Sequence, residues 1–334
     1  MKYIFFLFSL ILFASCKQDP TTTVPADNPP ANTTPVKVPV FSKDSAFAFV
    51  GKQVAFGPRV PGSEGHKAAR QWMVSKLKGY GAKVTEQTFN AKTATIGEVR
   101  AANIIASFNP TYARRVVLAA HWDTRYAADE DDERADKPID GADDGGSGVG
   151  VLIEIARLLK ENPLPIGVDI ILFDAEDQGA TNGGADTWCL GSQYWAQNLH
   201  VQGYRAEFGI LLDMVGAKGA TFQKEDLTGV FTPQKVSRIH SHYEKVWTLA
   251  KGMGKSANFV DVKSRPITDD HYFVNLYTEI PMIDIINKSM DSGSAFGPHW
   301  HTHDDNMNVI DPNVLGAVGQ VVAAYLYNSS NTQL

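Results

Sequence analysis

The chain has 334 residues, 43% of them hydrophobic and 20% charged, with a net charge of −6 at pH 7. That length buries a sizeable core, as one large α/β domain or two smaller ones. An acidic balance with no basic stripe excludes the electrostatic footprint of a nucleic-acid binder.

At the start, Lys2 precedes an apolar run from Tyr3 to Phe13, followed by Ala14 and Ser15 and then Cys16. The run is too short to span a bilayer, so residues 1–16 read as a signal peptide. Small residues before a cysteine resemble a bacterial lipoprotein processing site, in which Cys16 becomes the lipidated first residue. Phe13 departs from that pattern, where leucine is usual, and Leu12 lies one position off. Plain secretion with cleavage nearby is the competing reading. With Cys16 lipidated, Cys189 is the one thiol left; it forms no intramolecular disulfide and reads as a small core residue. The expected location is the bacterial cell envelope, periplasmic, with membrane contact only through the anchor at Cys16. Residues 17–41 are rich in Pro, Thr and Asn and lack periodicity, as a flexible tether does. No repeat or second low-complexity break follows, so 42–334 reads as a single domain.

Within it, SKDSAFAFVGKQVAF predicts a helix capped by Ser42 or Asp44, and HKAARQWMVSKLKGY an amphipathic helix ending near Gly79 to Gly81. KVTEQTF and VRAANIIASF alternate like strands. RRVVLAA, VDIILFD, FGILLDMV and IPMIDII are short apolar runs that reach polar or acidic residues at their C-terminal ends. Helical patterns separate them: VGVLIEIARLLKE, a segment near Val236 to Lys251, and NVLGAVGQVVAAYLYN. Apolar strands alternating with helices predict a largely parallel sheet covered on both faces. Ligands of such sheets bind beyond the carboxyl ends of the strands.

Those ends carry His121 and Asp123 (HWDT), Glu176 and Asp177 (AED), Asp213 (LDMVG) and the late loop HWHTHDDN; GADDGGSG adds Asp143 and Asp144 before a helix. Each group alone is weak, but gathered on one sheet edge they concentrate negative charge. Two carboxylates ~4 Å apart repel by roughly 4 kcal/mol at an effective dielectric near ~20, so a bound cation is the natural neutraliser. Oxygen and imidazole ligands together suit Zn²⁺ better than Mg²⁺. A catalytic zinc takes three protein ligands and keeps one position open. Asp144, one of Glu176 and Asp177, and one of the alternating His299, His301 and His303 meet that need; Glu176, the longer acid, is the better general base.

HWDT, GADDGGSG, AED, LDMVG and the late histidine resemble the zinc-dependent aminopeptidase superfamily, and GPRVPGS fits its N-terminal helix pair. LDMVGAKGATF (212–222), TDDH (268–271) and WHTHDDN (300–306) resemble glutaminyl cyclases of that superfamily, bacterial members in particular. The resemblance spans roughly residues 43–330. It implies a three-layer α/β/α sandwich around a mixed, largely parallel sheet. It also implies one zinc per chain on Asp144, Asp177 and His301, with Glu176 as proton shuttle, Asp213 and Asp269 orienting the reacting groups, and Trp300 lining the pocket. Two departures stand out. Asp177 replaces the usual glutamate, and Asp284 stands where animal members have histidine. The second pocket tryptophan has no clean match, and Trp188 is the nearest candidate.

The implied activity converts the N-terminal glutamine of peptides and proteins to pyroglutamate with release of ammonia. The main alternative is a two-zinc aminopeptidase using His121, Asp144, Asp177, Asp213 and His301, with Glu176 activating water; every one of these residues is present. A three-histidine metal site lacks its closing histidine, and a peptide-binding lipoprotein without catalysis would be expected to have lost a ligand or Glu176. Elsewhere, His121 and Asp123 read as hydrogen-bonding supports and Asp143 as a turn residue. The acidic run 128–136 reads as a solvated loop. His66, His200, His240 and His242 are expected away from the strand ends, and His271 is open between a pocket and a structural role. Tyr325 and Tyr327 are expected to pack.

Overall fold

A computed structural model describes residues 37–289 and 296–330. The signal segment and most of the tether lie outside the described residues. The helices are α1 (Lys43–Val54), α2 (Glu64–Gly79), α3 (Gly146–Glu161), α4 (Leu190–Gln197), α5 (Pro233–Gly252), α6 (Asp270–Tyr277) and α7 (Pro312–Ser329). The strands are β1 (Lys83–Lys92), β2 (Glu98–Phe108), β3 (Arg115–His121), β4 (Gly167–Phe173), β5 (Gly209–Asp213), β6 (Phe222–Glu225), β7 (Phe259–Ser264) and β8 (Met282–Ile286).

Cap chemistry sets the helix starts. Ser42 and Ser63 accept the backbone N–H groups of Ser45 and His66, and Pro233 and Pro312 follow the capping Thr232 and Asp311. The main sheet runs β1-β2-β4-β3-β5-β8. β4, β3, β5 and β8 are parallel, and β2 and β1 add antiparallel strands at one edge. Alternate residues feed two cores. Val116, Leu118 and Ala120 face α1, α3, α5 and α7, whereas Val117 and Ala119 face α4 and α6. The result is the three-layer α/β/α sandwich with a mixed, largely parallel sheet. β3 is buried along its whole length, which is why its sequence runs apolar instead of alternating.

Two short helices, α4 and α6, and a separate parallel pair, β6 with β7, were not anticipated. Phe41 packs against Gly319 and donates its N–H to Gln320, so the folded part includes it. Among the described residues no helix is long and apolar enough to cross a membrane.

Candidate metal centre and pocket

The C-terminal ends of β3, β4 and β5 bring His121, the Asp174–Asp177 turn and Asp213 to one edge. α3 adds Asp144 from its N-terminal approach. Gly148 lets that helix sit directly on β5, because a Cβ there would collide with the carbonyl oxygen of Leu212. Gly145 turns with φ +77°, and a side chain there would meet the Asp123 carbonyl and the His121 ring.

Asp144, Asp177 and His301 converge with one ligand atom each within 4.8 Å of one another. They are buried, at 4%, 2% and 2% exposure. Oδ2 of Asp177 has no hydrogen-bond partner among the described residues. Burial alone would lower the proton affinity of His301, but Asp177 and Asp129 push its pKa up to about 10. A buried cluster of two carboxylates, one with an orphaned oxygen, beside an imidazole is one that calls for positive charge. Two carboxylates and an imidazole suit zinc, so these residues fit the ion.

His121, Asp144 and Asp213 form a second group of the same dimensions. Here Nε2 of His121 lies 2.9 Å from Asp144 and 3.1 Å from Asp213. Burial opposes protonation of this ring, yet Asp123, Asp144 and Asp213 outweigh it and raise its pKa well above 6.5. Burial pushes the Asp213 carboxyl up to about 8, against the opposing effect of His121 and with the help of Asp269 and Asp144. Glu176 is also pushed well above its ordinary value, first by burial and then by Asp177 and Asp269, with His121 opposing.

All the residues expected to form the site line one cavity of about 380 Å³: Asp144, Glu176, Asp177, Trp188, Asp213, Asp269, Trp300 and His301. Ile267, Ile286 and Phe296 give it apolar walls. The rings of Trp300 and His301 stack 3.7 Å apart, and those of Trp188 and His301 at 6.1 Å.

Beneath the site, two buried carboxylates fix the loops. Asp123 accepts the N–H groups of Glu176 (3.0 Å) and Asp177 (3.2 Å). Asp305 does the same for Asp143 (2.7 Å) and Asp144 (3.1 Å). Arg59, from GPRVPGS, donates to the carbonyls of Trp122, Asp140 and Gly141, tying the N-terminal link to both loops. Asp143 is turned to other partners: it accepts the Gly216 N–H and pairs with His299.

Several expectations need correction. The acidic run is not a merely solvated loop. Asp129 reaches Nδ1 of His301 at 3.1 Å and Asp131 pairs with His303 at 2.7 Å. Arg125 binds Asp129 and donates to the carbonyls of Asp177 and Gly179, joining two walls of the site. His66 does not lie away from the strand ends: it bonds Asp174, just after β4, at 2.9 Å and stacks on Trp122. His271 does not line the cavity. It is fully buried, with Nε2 2.6 Å from Glu225. Sequence reasoning missed Asp129, Asp305 and Arg59. The one signal was position: Asp305 follows the ligand loop in HDDN, and Asp129 opens the acidic run.

A mixed α/β sheet with acids and imidazoles gathered beyond its strand ends defines an enzyme of the zinc exopeptidase class. The chain belongs to peptidase family M28, whose profile matches residues 103–326. The glutaminyl cyclase of Tannerella forsythia is 46% identical; the match covers 87% of this chain and 99% of that one, with a TM-score of 0.82. A Zn-dependent exopeptidase from Parabacteroides distasonis is 47% identical over 87% of this chain and 100% of its own, also with a TM-score of 0.82. The glutaminyl-peptide cyclotransferase of the snake Bothrops jararaca is 26% identical over 298 residues, covering 82% of this chain and 78% of its own.

Proposed function

We infer that the protein is a zinc-dependent glutaminyl-peptide cyclotransferase, closing the N-terminal glutamine of peptides to pyroglutamate with release of ammonia. The observation that carries this reading is the convergence, in one cavity of about 380 Å³, of a zinc-fit triad with Glu176, Asp213 and Asp269. Likeness to glutaminyl cyclases across the whole described domain supports it, while the aminopeptidase alternative rests on the superfamily alone.

Asp144, Asp177 and His301 would hold one zinc ion. An ion held there would supply a Lewis acid for the side-chain carbonyl of the substrate glutamine and for the charge developing on its oxygen. Glu176 takes a proton from the α-amine as that nitrogen bonds to the side-chain carbon, and returns it to the departing amide nitrogen as ammonia. Raised proton affinity suits a group that must both accept and give back a proton. Asp213 and Asp269 accept hydrogen bonds from the two nitrogens and orient the neutral α-amine toward the side-chain carbon. Trp188 and Trp300 narrow the cavity around a folded glutamine, and holding that closed geometry supplies much of the rate.

One ion per chain is supported by His121. Its Nε2 lies 2.9 Å from Asp144 and 3.1 Å from Asp213, so the ring itself bridges these two carboxylates. For the location we propose the bacterial envelope, with the protein anchored through Cys16 and acting on exported peptides, on the strength of residues 1–16.

The test is removal and return of metal. Protein stripped with a chelator is expected to lose Gln-Ala cyclisation and to regain it as zinc is added, levelling off at one equivalent. Activity that survives stripping contradicts the reading. A rise that continues to two equivalents, with Leu-Ala hydrolysed, favours the two-zinc peptidase.

A further inference from the structure

We infer that Cys189 is a positioning residue for proton transfer: its buried thiol donates to Glu176 and holds that carboxylate facing Asp269 across the cavity floor. The inference rests on the cyclase reading above.

Sγ of Cys189 lies 3.2 Å from Oε1 of Glu176. One side-chain atom each from Glu176, Cys189 and Asp269 falls within 4.8 Å of the others, so the buried thiol borders both acids. Backbone bonds reinforce the side-chain contact. Cys189 N–H donates to the Glu176 carbonyl at 2.8 Å, and Leu190 N–H donates to that of Ala175 at 3.1 Å.

The backbone of Cys189 is itself held in an uncommon state, at φ 55° and ψ 37°. Six non-glycine residues have positive φ among the described residues, and four of them border this site: Ala175, Cys189, Met214 and His301. Ala175 precedes Glu176, Met214 follows Asp213, and His301 belongs to the zinc-fit triad. Left-handed backbone at such residues persists where the surroundings over-determine it, commonly at working sites. Cys189 belongs to that set. Its carbonyl also accepts from the Gln193 N–H and the Ser192 hydroxyl, so the direction of its Cβ is fixed at the start of α4. Burial, then Glu176, keeps the group a protonated thiol. It is therefore a donor and not a nucleophile.

A small apolar filler and a hydrogen-bond donor make different predictions. Cys189→Ala and Cys189→Ser are compared with the wild-type full-length protein for zinc content, melting temperature, kcat and KM on Gln-Ala. Cys189→Ala is expected to keep its zinc and its KM within about twofold while kcat falls about tenfold, as suits loss of one hydrogen bond to an acid. Cys189→Ser, which keeps a donor, is expected to recover kcat to within about threefold of wild type. Equal kcat in wild type and Cys189→Ala overturns the proposal, as does a folded, zinc-replete Cys189→Ser as slow as Cys189→Ala.

Should Cys189→Ala not fold, the infrared S–H band decides. It is expected to lie at lower wavenumber in wild type than in Glu176→Gln, and identical bands overturn the proposal. Wild-type protein that fails to cyclise Gln-Ala at all overturns the function reading and this inference together. Wild type that cyclises, with Cys189→Ala indistinguishable from it, sinks this inference alone.

Discussion

Nδ1 of His301 lies 3.1 Å from Oδ1 of Asp129, while Nε2 of the same ring lies 3.0 Å from Asp177. One imidazole thus spans the zinc-fit triad and a carboxylate behind it, and Arg125 in turn fixes that carboxylate. Such a partner sets the tautomer and orientation of a metal-binding histidine, and its loss typically weakens metal binding about 10- to 100-fold. Asp129→Asn is therefore expected to raise the zinc dissociation constant by at least about tenfold in a chelator competition, with the fold intact. Unchanged zinc affinity would show that the contact is incidental.

Glu176 and Asp177 are neighbours with different surroundings. Asp177 faces His301 and is 2% exposed, whereas 13% of the Glu176 side chain remains open to the cavity. Glu176→Gln is expected to bind zinc as wild type does and to lose at least about 100-fold in kcat. Zinc loss in that variant, measured by elemental analysis, would reverse the two roles.

The rate should respond to pH through the same acid. Burial, with Asp177 and Asp269, raises the Glu176 pKa well above its ordinary value, His121 opposing. A general base works only when deprotonated, so kcat/KM should decline as pH drops through the raised pKa. The acid limb is expected above the ordinary glutamate value of about 4.3. A profile flat down to about pH 4.5, with zinc still bound, would contradict the assignment.

Stability in acid should depend on the buried pair Glu225 and Lys288, in which Glu225 also accepts the N–H of the cavity-lining Ile267. Burial pushes Glu225 up, but His271 and Lys288 outweigh it and hold its pKa at about 2. With a folded value below the unfolded value of about 4.3, its stabilisation is present above that pH and is lost as pH falls toward about 2. Lys288 lies 3.1 Å from Glu225 and is 5% exposed. Removing one partner of such a pair commonly costs about 3 kcal/mol. Glu225→Gln should lower the unfolding free energy by about that amount at neutral pH and should flatten its acid decline. Denaturant curves matching wild type at both pH values would refute this.

What was legible in the sequence follows from how each part earns its conformation. β3, β4, β5 and β8 are buried between helix layers, so their apolar runs announced them, and the polar and acidic residues at the ends of those runs marked the functional edge. β6 reads FQKE: its Lys224 and Glu225 are buried by pairing with Glu244, Asp261, His271 and Lys288, so no apolar pattern betrays a strand. α4 and α6 have 8 residues each, too few to display a helical period. Asp129 was hidden for a different reason. A run of acids usually faces solvent, and only tertiary structure turns one of them onto His301. Cys189 likewise has the composition of a core residue, and its bond to Glu176 depends on a left-handed backbone that no local pattern predicts.

The most direct measurement is the mass of the product formed from Gln-Ala by the zinc-loaded protein. A species lighter by one ammonia, with the peptide bond intact, is the predicted result. Free glutamine and alanine, or unchanged peptide, would contradict it.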